Sequence, residues 1–523
     1  MALKKSNVLT TFINWRDFRL KIFFEGIFIG LAAGIAVVLF RYMLEQAELL
    51  RQRLYVALEM RGIGLILLWF AALFVIGCLL YWLVQKEPMA SGSGIPQVKG
   101  TISGHFKMNW LRVLGVKFIG GVLAIGAGLS LGREGPSIQL GAAMGQGVSR
   151  LLGRLKIEER YLMTSGASAG LAAAFNAPLA GVMFALEELH KSFSPAVLMS
   201  AMAASLTADL VARESFGQKP IFHFPSLPVL PLKYYIYLVG LGLVCGVLGV
   251  IFNRALIKAL NIYSEQRWLP RKFVPVFPLM IGGILGFVLP EVLGGGNGLV
   301  DLVAQGRFSL VILAVLLVGK FLFTMVSYGS GVPGGIFLPM LVLGALAGGI
   351  YGNLMTHYLH INPHYINDFV VLAMAAYFTA VVKAPVTGSI LITEMTGSFQ
   401  HLPGLITVSI TAYLVSDLLK SQPIYETLLA RILAKKSPDS LTTQEAGKII
   451  IEEVVCLGSG LAAKRVKDIA WPPHCLLVGI KRGEKEIIPK GNTKILAGDF
   501  LYVLANEDEA AEIKDALSQM AAH

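Results

Sequence analysis

Gly132-Arg133-Glu134-Gly135-Pro136-Ser137 follows the apolar, glycine-rich run 118–131 and sets two charges at the end of a segment that otherwise reads as lipid-embedded. A carboxylate at membrane depth is costly, and where one occurs it serves a site. Pro136 favours the first turn of a helix, and Gly135 lets the backbone approach another group closely. A helix beginning here aims free N–H groups into the membrane interior, and such an end attracts anions. Glu134 is itself an anion tethered at that end. A tethered anion at an anion site implies competition between Glu134 and a mobile one.

Two further breaks have the same character: Gly92-Ser93-Gly94-Ile95-Pro96 and Gly334-Gly335-Ile336-Phe337-Leu338-Pro339. Each precedes an apolar segment, as a helix N-terminus does. Three convergent N-termini supply N–H donors and partial positive charge, which bind a dehydrated anion and still release it. Ser93 adds a hydroxyl donor. The plain alternative is close helix packing around small residues; three such breaks, one with a carboxylate, favour a site. Gly92–Pro96 is echoed by Gly329-Ser330-Gly331-Val332-Pro333. One copy in each half is expected to mark corresponding positions of two repeats.

Other residues are ambiguous on spacing alone. Lys117 is an intramembrane cation that balances a carboxylate or raises the local potential, unless it snorkels. Arg133 has the same two uses near the outer mouth. Glu188 closes the apolar run 179–186, with Glu187 as its expected solvated companion, and reads equally as a surface carboxylate or a proton carrier. Tyr425, after Pro423, is by itself an interfacial aromatic. Phe337 is by itself a core aromatic, and Glu394 is expected to have a structural partner.

The elements that position these residues are membrane helices. The chain has 523 residues, 55% hydrophobic and only 15% charged, with mean hydropathy +0.66. Soluble domains carry about 25% charged residues, so the chain is polytopic. Apolar spans lie at 27–40, 63–84, 236–252, 274–289, 310–326 and 370–382. Several fall short of the roughly 20 residues that cross a bilayer. Glycine and proline break many of them, as in transporters. The basic N-terminus (Lys4, Lys5, Arg16, Arg19, Lys21) reads as cytoplasmic, with no cleavable leader. Cys78, Cys245, Cys456 and Cys475 lack metal-ligand spacing, and no metal site is expected.

Residues 1–433 read as the membrane unit and 434–443 as a polar linker. Beyond it the character changes to a small cytosolic α+β domain, 444–523, with strands at 449–456, 476–481 and 500–504 and a closing helix at 507–520. From residue 440 onward there are ten basic and twelve acidic residues, so the net charge of +12 resides in the membrane unit. That excess fits loops against anionic lipid and gives no reason to expect nucleic acid.

With those motifs in view, the sequence resembles the chloride channel and transporter (CLC) family over about residues 20–433. GSGIP at 92–96, GREGP at 132–136 and GGIFLP at 334–339 match its three anion-site motifs, in order and spacing. Residues 172–188 (AAAFNAPLAGVMFALEE) match the segment leading to its inner glutamate, and Pro423-Ile424-Tyr425 matches its tyrosine segment. The resemblance implies an all-α polytopic fold with broken helices and two inverted repeats, about 20–215 and 230–433. It also implies a homodimer with one anion pathway per subunit. Ser93 and Tyr425 would coordinate chloride through their hydroxyls, with backbone N–H groups of Ile336, Phe337 and Gly135. Glu134 would be the external gating glutamate and Glu188 the internal proton-transfer glutamate. Channel-type members tend to lack a carboxylate at that inner position, so Glu188 argues for chloride/proton exchange across a prokaryotic plasma membrane, with both termini cytoplasmic. The rivals are a passive chloride channel and a fluoride/proton antiporter; Ser93 disfavours fluoride. At Gln97-Val98-Lys99 the chain departs from the family, whose members often carry acidic residues there. This leaves open how protons reach Glu188.

Residues 461–504 resemble the TrkA-C (RCK-C) module. The matching residues are Ala463-Lys464, Asp468, the 488–493 stretch Ile-Pro-Lys-Gly-Asn-Thr and Leu496-Ala497-Gly498-Asp499. This implies dimerisation and either a small regulatory ligand, a cyclic dinucleotide such as c-di-AMP among them, or a passive dimer-stabilising role. No cofactor is expected. An enzyme is disfavoured, because there is no HExxH motif and the intramembrane carboxylates lack a catalytic partner.

Overall fold

Short apolar helices cannot leave their backbone ends open in lipid, so they must end against protein. The computed structural model describes residues 8–191, 194–222, 224, 227–267, 269–436, 448–456, 458–483, 485–506 and 509–522. It divides into two compact units, 1–431 and 432–523. The first half of the larger unit contains α1 (Val8–Arg61), α2 (Ile63–Lys86), α3 (Ile95–Ile102), α4 (Trp110–Gly126), α5 (Glu134–Leu151), α6 (Lys156–Phe175), α7 (Pro178–Phe184) and α8 (Pro195–Phe216). The second half repeats that order as α9 (Tyr235–Glu265), α10 (Val276–Val288), α11 (Asn297–Ala304), α12 (Leu310–Gly329), α13 (Phe337–Leu359), α14 (Ile366–Val382), α15 (Pro385–Thr396) and α16 (Leu402–Leu418). Helix α17 (Ile424–Lys436) follows. Five of the six apolar spans read from the sequence fall inside α1, α2, α9, α12 and α14; the sixth, 274–289, overruns α10 by two residues before it and one after. Among the described residues, seven helices are long and apolar enough to cross a membrane. Helices α3, α7 and α11, of seven or eight residues, are not.

Packing repeats along with order. Helix α1 lies on α6 and α8 as α9 lies on α14 and α16, and the α5–α6 pair is matched by α13–α14. Lys117 on α4 donates to the Ala90 and Gly92 carbonyls at 3.0 and 2.6 Å. Lys320 on α12 does the same to Val292 and Gly294 at 3.0 and 2.7 Å. This corrects the register read from the sequence echo. The loop entering α3 corresponds to 294–298 entering α11, whereas 329–333 leads into α13. The two GSG loops are therefore not equivalent; they are neighbours. Gly92 N–H donates to Val332 O at 3.2 Å and Gly334 N–H to Gly92 O at 3.0 Å. The equivalent pair is Gly132 and Gly335, which exchange backbone hydrogen bonds of 2.7 and 2.8 Å. That register sets Phe337 opposite Glu134 and Pro339 opposite Pro136.

Small residues let α5 and α6 meet at backbone distance. A Cβ on Gly141 would lie 2.0 Å from the Gly166 carbonyl oxygen, and one on Gly166 would lie 2.1 Å from the Gly141 oxygen.

In the smaller unit, β1 (Lys448–Val454), β2 (Cys475–Arg482), β3 (Lys485–Ile487) and β4 (Phe500–Asn506) form one antiparallel sheet in the order β1-β4-β2-β3. Helix α18 (Ala510–Ala522) closes it over Ile451, Leu501, Val503 and Leu517. Strand β3 escaped the sequence reading because its three residues carry no apolar alternation. Of the expected linker, 434–436 continue α17 and 437–443 lie outside the described residues, as do Lys4, Lys5 and the first two residues of the expected closing helix. Buried Asp499 accepts from Arg482 Nε and its terminal nitrogen at 2.7 and 2.8 Å and from Leu496 N–H at 2.8 Å. Burial raises its carboxyl, but the Arg482 bonds, the Leu496 bond and the guanidinium charge outweigh it and hold the carboxyl below its usual range.

Two outcomes are expected. Gly141→Ala forces α5 from α6 at a cost of about 3 kcal/mol, read as a lower melting temperature and loss of monodisperse protein. Gly115→Ala, where a Cβ meets nothing within 4 Å, is the neutral control. Because the folded carboxyl of Asp499 titrates below its unfolded value, its contribution is complete above about pH 4. It is lost as the pH falls through the folded value. Asp499→Asn removes this acid-side loss and destabilises the domain by about 1 kcal/mol, allowing for solvent screening at Arg482. Protease resistance of residues 448–522 against pH reads both effects.

Candidate functional site

Five helix N-termini bear on the site, and they are completed in two different ways. Helix α7 begins at Pro178 with Leu179 and Ala180 N–H donating to Glu394 at 3.1 and 2.8 Å. Helix α15 begins at Pro385 with Val386 and Thr387 N–H donating to Glu187 at 3.3 and 2.7 Å, and the Thr387 hydroxyl adds a bond of 2.6 Å. Each half thus caps the other's short helix, and Glu187 is a cap rather than the solvated companion expected from the sequence. A carboxylate at such an end is favoured by both hydrogen bonding and the helix dipole. At the starts of α3, α5 and α13, by contrast, no side chain among the described residues closes a hydrogen bond on a first-turn N–H.

Those three starts come together. A Cβ on Gly135 would lie 2.4 Å from Ser93 Oγ and 2.7 Å from the Ser93 carbonyl, so only glycine permits α5 to begin against the α3 loop. A Cβ on Gly335 would sit 3.2 Å from Gly135 N, which brings α13, with Ile336 as its N-cap and Phe337 as its first residue, to the same point. Phe337 is wedged among Phe378, Phe175 and Phe184, with ring centroids 4.8, 5.4 and 6.1 Å away. Glu134 is fully buried, and its carboxylate folds back beside Gly132 and the Leu338 N–H. It faces that N–H and its own but closes a well-formed hydrogen bond with neither. Arg133 Nε lies 4.0 Å from Glu134 Oε1, and its terminal nitrogen lies 3.6 Å from Glu45.

Ser93 Oγ and Tyr425 Oη are buried without a hydrogen-bond partner among the described residues, as are both Glu134 oxygens. Buried polar atoms are nearly always paired, so a group of unpaired ones around three uncapped helix starts is available to a ligand. Two of them are hydroxyl donors and the N–H groups are donors, a set suited to an anion. Tyr425, at the start of α17, stands within electrostatic reach of Glu134 and of Glu188. Glu188 is itself buried, in a π-helical turn at 185–190 that follows α7. Its carboxylate meets Lys99 Nζ at 2.8 Å.

Lys117 is fully buried and does not snorkel; its carbonyl bonds fix the loop that presents Ser93. Sequence reasoning missed Tyr328, whose buried hydroxyl faces Gly92 and the Ser93 backbone. Its place directly before Gly329-Ser330-Gly331 was the available signal. Gly166-Ala167-Ser168-Ala169-Gly170 spells a G-x-S-x-G pattern, yet Ser168 sits inside α6, bonded to Ser205 at 2.5 Å. A nucleophile elbow needs a strand-to-helix turn, so this serine is a packing group.

Comparison with known proteins finds the family model described as voltage gated chloride channel over residues 72–417, and the TrkA-C domain over 450–518. An H(+)/Cl(−) exchange transporter ClcA of Vibrio cholerae (strain M66-2) is 37% identical over 453 residues, covering 83% of this chain and 94% of that protein. The Vibrio campbellii protein of the same name is 38% identical over 380 residues, 70% of this chain and 80% of its own. Among solved structures, a slow cyanobacterial Cl−/H+ antiporter superposes with TM-score 0.76 at 31% identity, covering 79% of this chain and 98% of its own. A CLC-type fluoride/proton antiporter superposes with TM-score 0.64 at 24% identity, covering 78% of this chain and 97% of its own, a likeness of fold alone.

Gly135→Ala should displace Ser93 from the shared point. Halide affinity, measured by titration calorimetry, is expected to fall at least about tenfold, near 1.4 kcal/mol. Unchanged affinity would separate Ser93 from the binding site.

Proposed function

The chain belongs to the voltage gated chloride channel family, and we propose that it is a proton-coupled chloride antiporter of a prokaryotic plasma membrane. It is a transporter rather than an enzyme. The observation that carries this reading is that the Glu134 carboxylate and the Ser93 hydroxyl, buried and unpaired among the described residues, lie where the starts of α3, α5 and α13 come together, with the unpaired Tyr425 hydroxyl within electrostatic reach of Glu134. Chloride would accept from Ser93 Oγ, Tyr425 Oη and the N–H groups of Gly135, Ile336 and Phe337. Partial charges of this kind hold a dehydrated anion without trapping it. Arg133 and the Lys117-anchored loop add positive potential.

Charged Glu134 competes with chloride for those N–H groups. Protonation removes its attraction to the helix ends and lets it leave, so anion entry and proton uptake are linked at one side chain. Glu188 carries the proton on the inner side. The same reading takes the unit as two inverted repeats, about 20–215 and 230–433, in a homodimeric transport domain 1–433, with both termini in the cytoplasm. The repeated element order and the basic residues of α1 support it. Residues 444–523 would act as a regulatory or dimer-stabilising domain; the TrkA-C match over 450–518 is the support for a module of that kind.

In proteoliposomes, a chloride gradient is expected to drive uphill proton movement. Glu134→Gln is expected to abolish the proton movement while chloride flux persists. Chloride flux without protons in the unmodified protein would make it a passive channel, and fluoride taken in preference to chloride would overturn the assigned substrate.

A further inference from the structure

Helix α3 presents Ser93 at its N-terminal end and Lys99 in its last turn. Lys99 Nζ lies 2.8 Å from Glu188 Oε1 and 3.4 Å from Glu426 Oε1. Glu426, on α17 directly after Tyr425, also pairs with Lys191. Side-chain exposure rises along this row: 5% at Glu188, 7% at Lys99, 34% at Glu426 and 52% at Lys191. The row therefore runs from the buried carboxylate to the surface with charges that alternate in sign. Within two residues of Glu188, Glu187 is committed to the α15 start and His190 lies against the Tyr161 ring.

From this geometry we propose that Lys99 relays protons between Glu426 and Glu188. Burying an ion pair costs desolvation that offsets much of its attraction. One transfer neutralises both buried charges together. In the inward-facing step the Lys99 ammonium gives a proton to the Glu188 carboxylate; an N–H bond breaks and an O–H bond forms. The Glu426 carboxylate takes a proton from a cytoplasmic hydronium ion and passes it to the Lys99 amine; an O–H bond breaks and an N–H bond forms. Lys99 and Glu426 return to their starting states, and one proton has reached Glu188. The relay supplies a route where Gln97 and Lys99 replace the acidic residues common in the family. It rests on Glu188 being the inner proton carrier.

Arginine separates a relay from a charge that merely positions Glu188. It keeps the positive charge and the hydrogen-bond donors but does not give up its proton in proteins. Proteoliposomes of full-length protein, with chloride and proton fluxes followed together, give the test. Lys99→Arg is expected to raise the chloride-to-proton ratio at least about tenfold. Glu426→Gln is expected to lower proton flux several-fold, and Glu426→Asp to restore it. Should Lys99→Arg not yield monodisperse protein, the Glu426 pair, at a partly exposed position, decides alone. Coupling in the unmodified protein that survives Lys99→Arg and Glu426→Gln overturns the relay and leaves the antiporter reading standing. Chloride movement without protons in the unmodified protein overturns both.

Discussion

A helix that ends inside an apolar unit brings unpaired N–H groups with it, and each must find an acceptor or remain expensive. The architecture of the larger unit is a set of answers to that constraint. Helices α7 and α15 are completed by carboxylates, Glu394 and Glu187. Helices α3, α5 and α13 meet where Gly135 permits close approach, and no side chain among the described residues closes a hydrogen bond on their starts. In the proposed antiporter the difference would decide where an anion can bind: an end already holding a carboxylate has no room for another, and an uncapped one does. Glu134 stands between the two cases, a carboxylate that faces the α13 start without bonding it well.

The loops around these ends are held by cations that never reach solvent. Lys117 and Lys320 each spend their charge on two carbonyls, and so bend a loop so that its N–H groups point the other way. A lysine used like this orients dipoles rather than attracting an anion directly. The reciprocal bond between Gly132 and Gly335 joins equivalent points of the two halves, so the site is assembled where the repeats touch. Glu134 and Phe337 occupy the same position in their respective repeats. One half contributes the charge and the other an aromatic wall.

Much of this could be read from the chain because it is local. Ser93, Glu134, Gly135 and Phe337 lie in short runs whose glycines and prolines identify helix starts without any partner. What escaped was long-range. Nothing near Glu187 in sequence points to Thr387, and nothing near Lys99 points to Glu188, because each pairing depends on how separate helices pack. The GSG echo misled for a related reason. Glycine and serine recur wherever backbones approach, so identical letters marked adjoining loops rather than equivalent ones, and only the order of elements gave the true register. In the smaller unit, β4 was legible from its alternation and β3 was not.

The exchange of carboxylates between α7 and α15 has a consequence for how the protein is made. The start of α7 takes its acceptor from Glu394, 215 residues further along the chain. While the first half is being inserted, that end has no cap, and α7 cannot settle until the second half arrives. The start of α15 likewise waits on Glu187 from the first half, so each half completes the other's short helix only once both are in place.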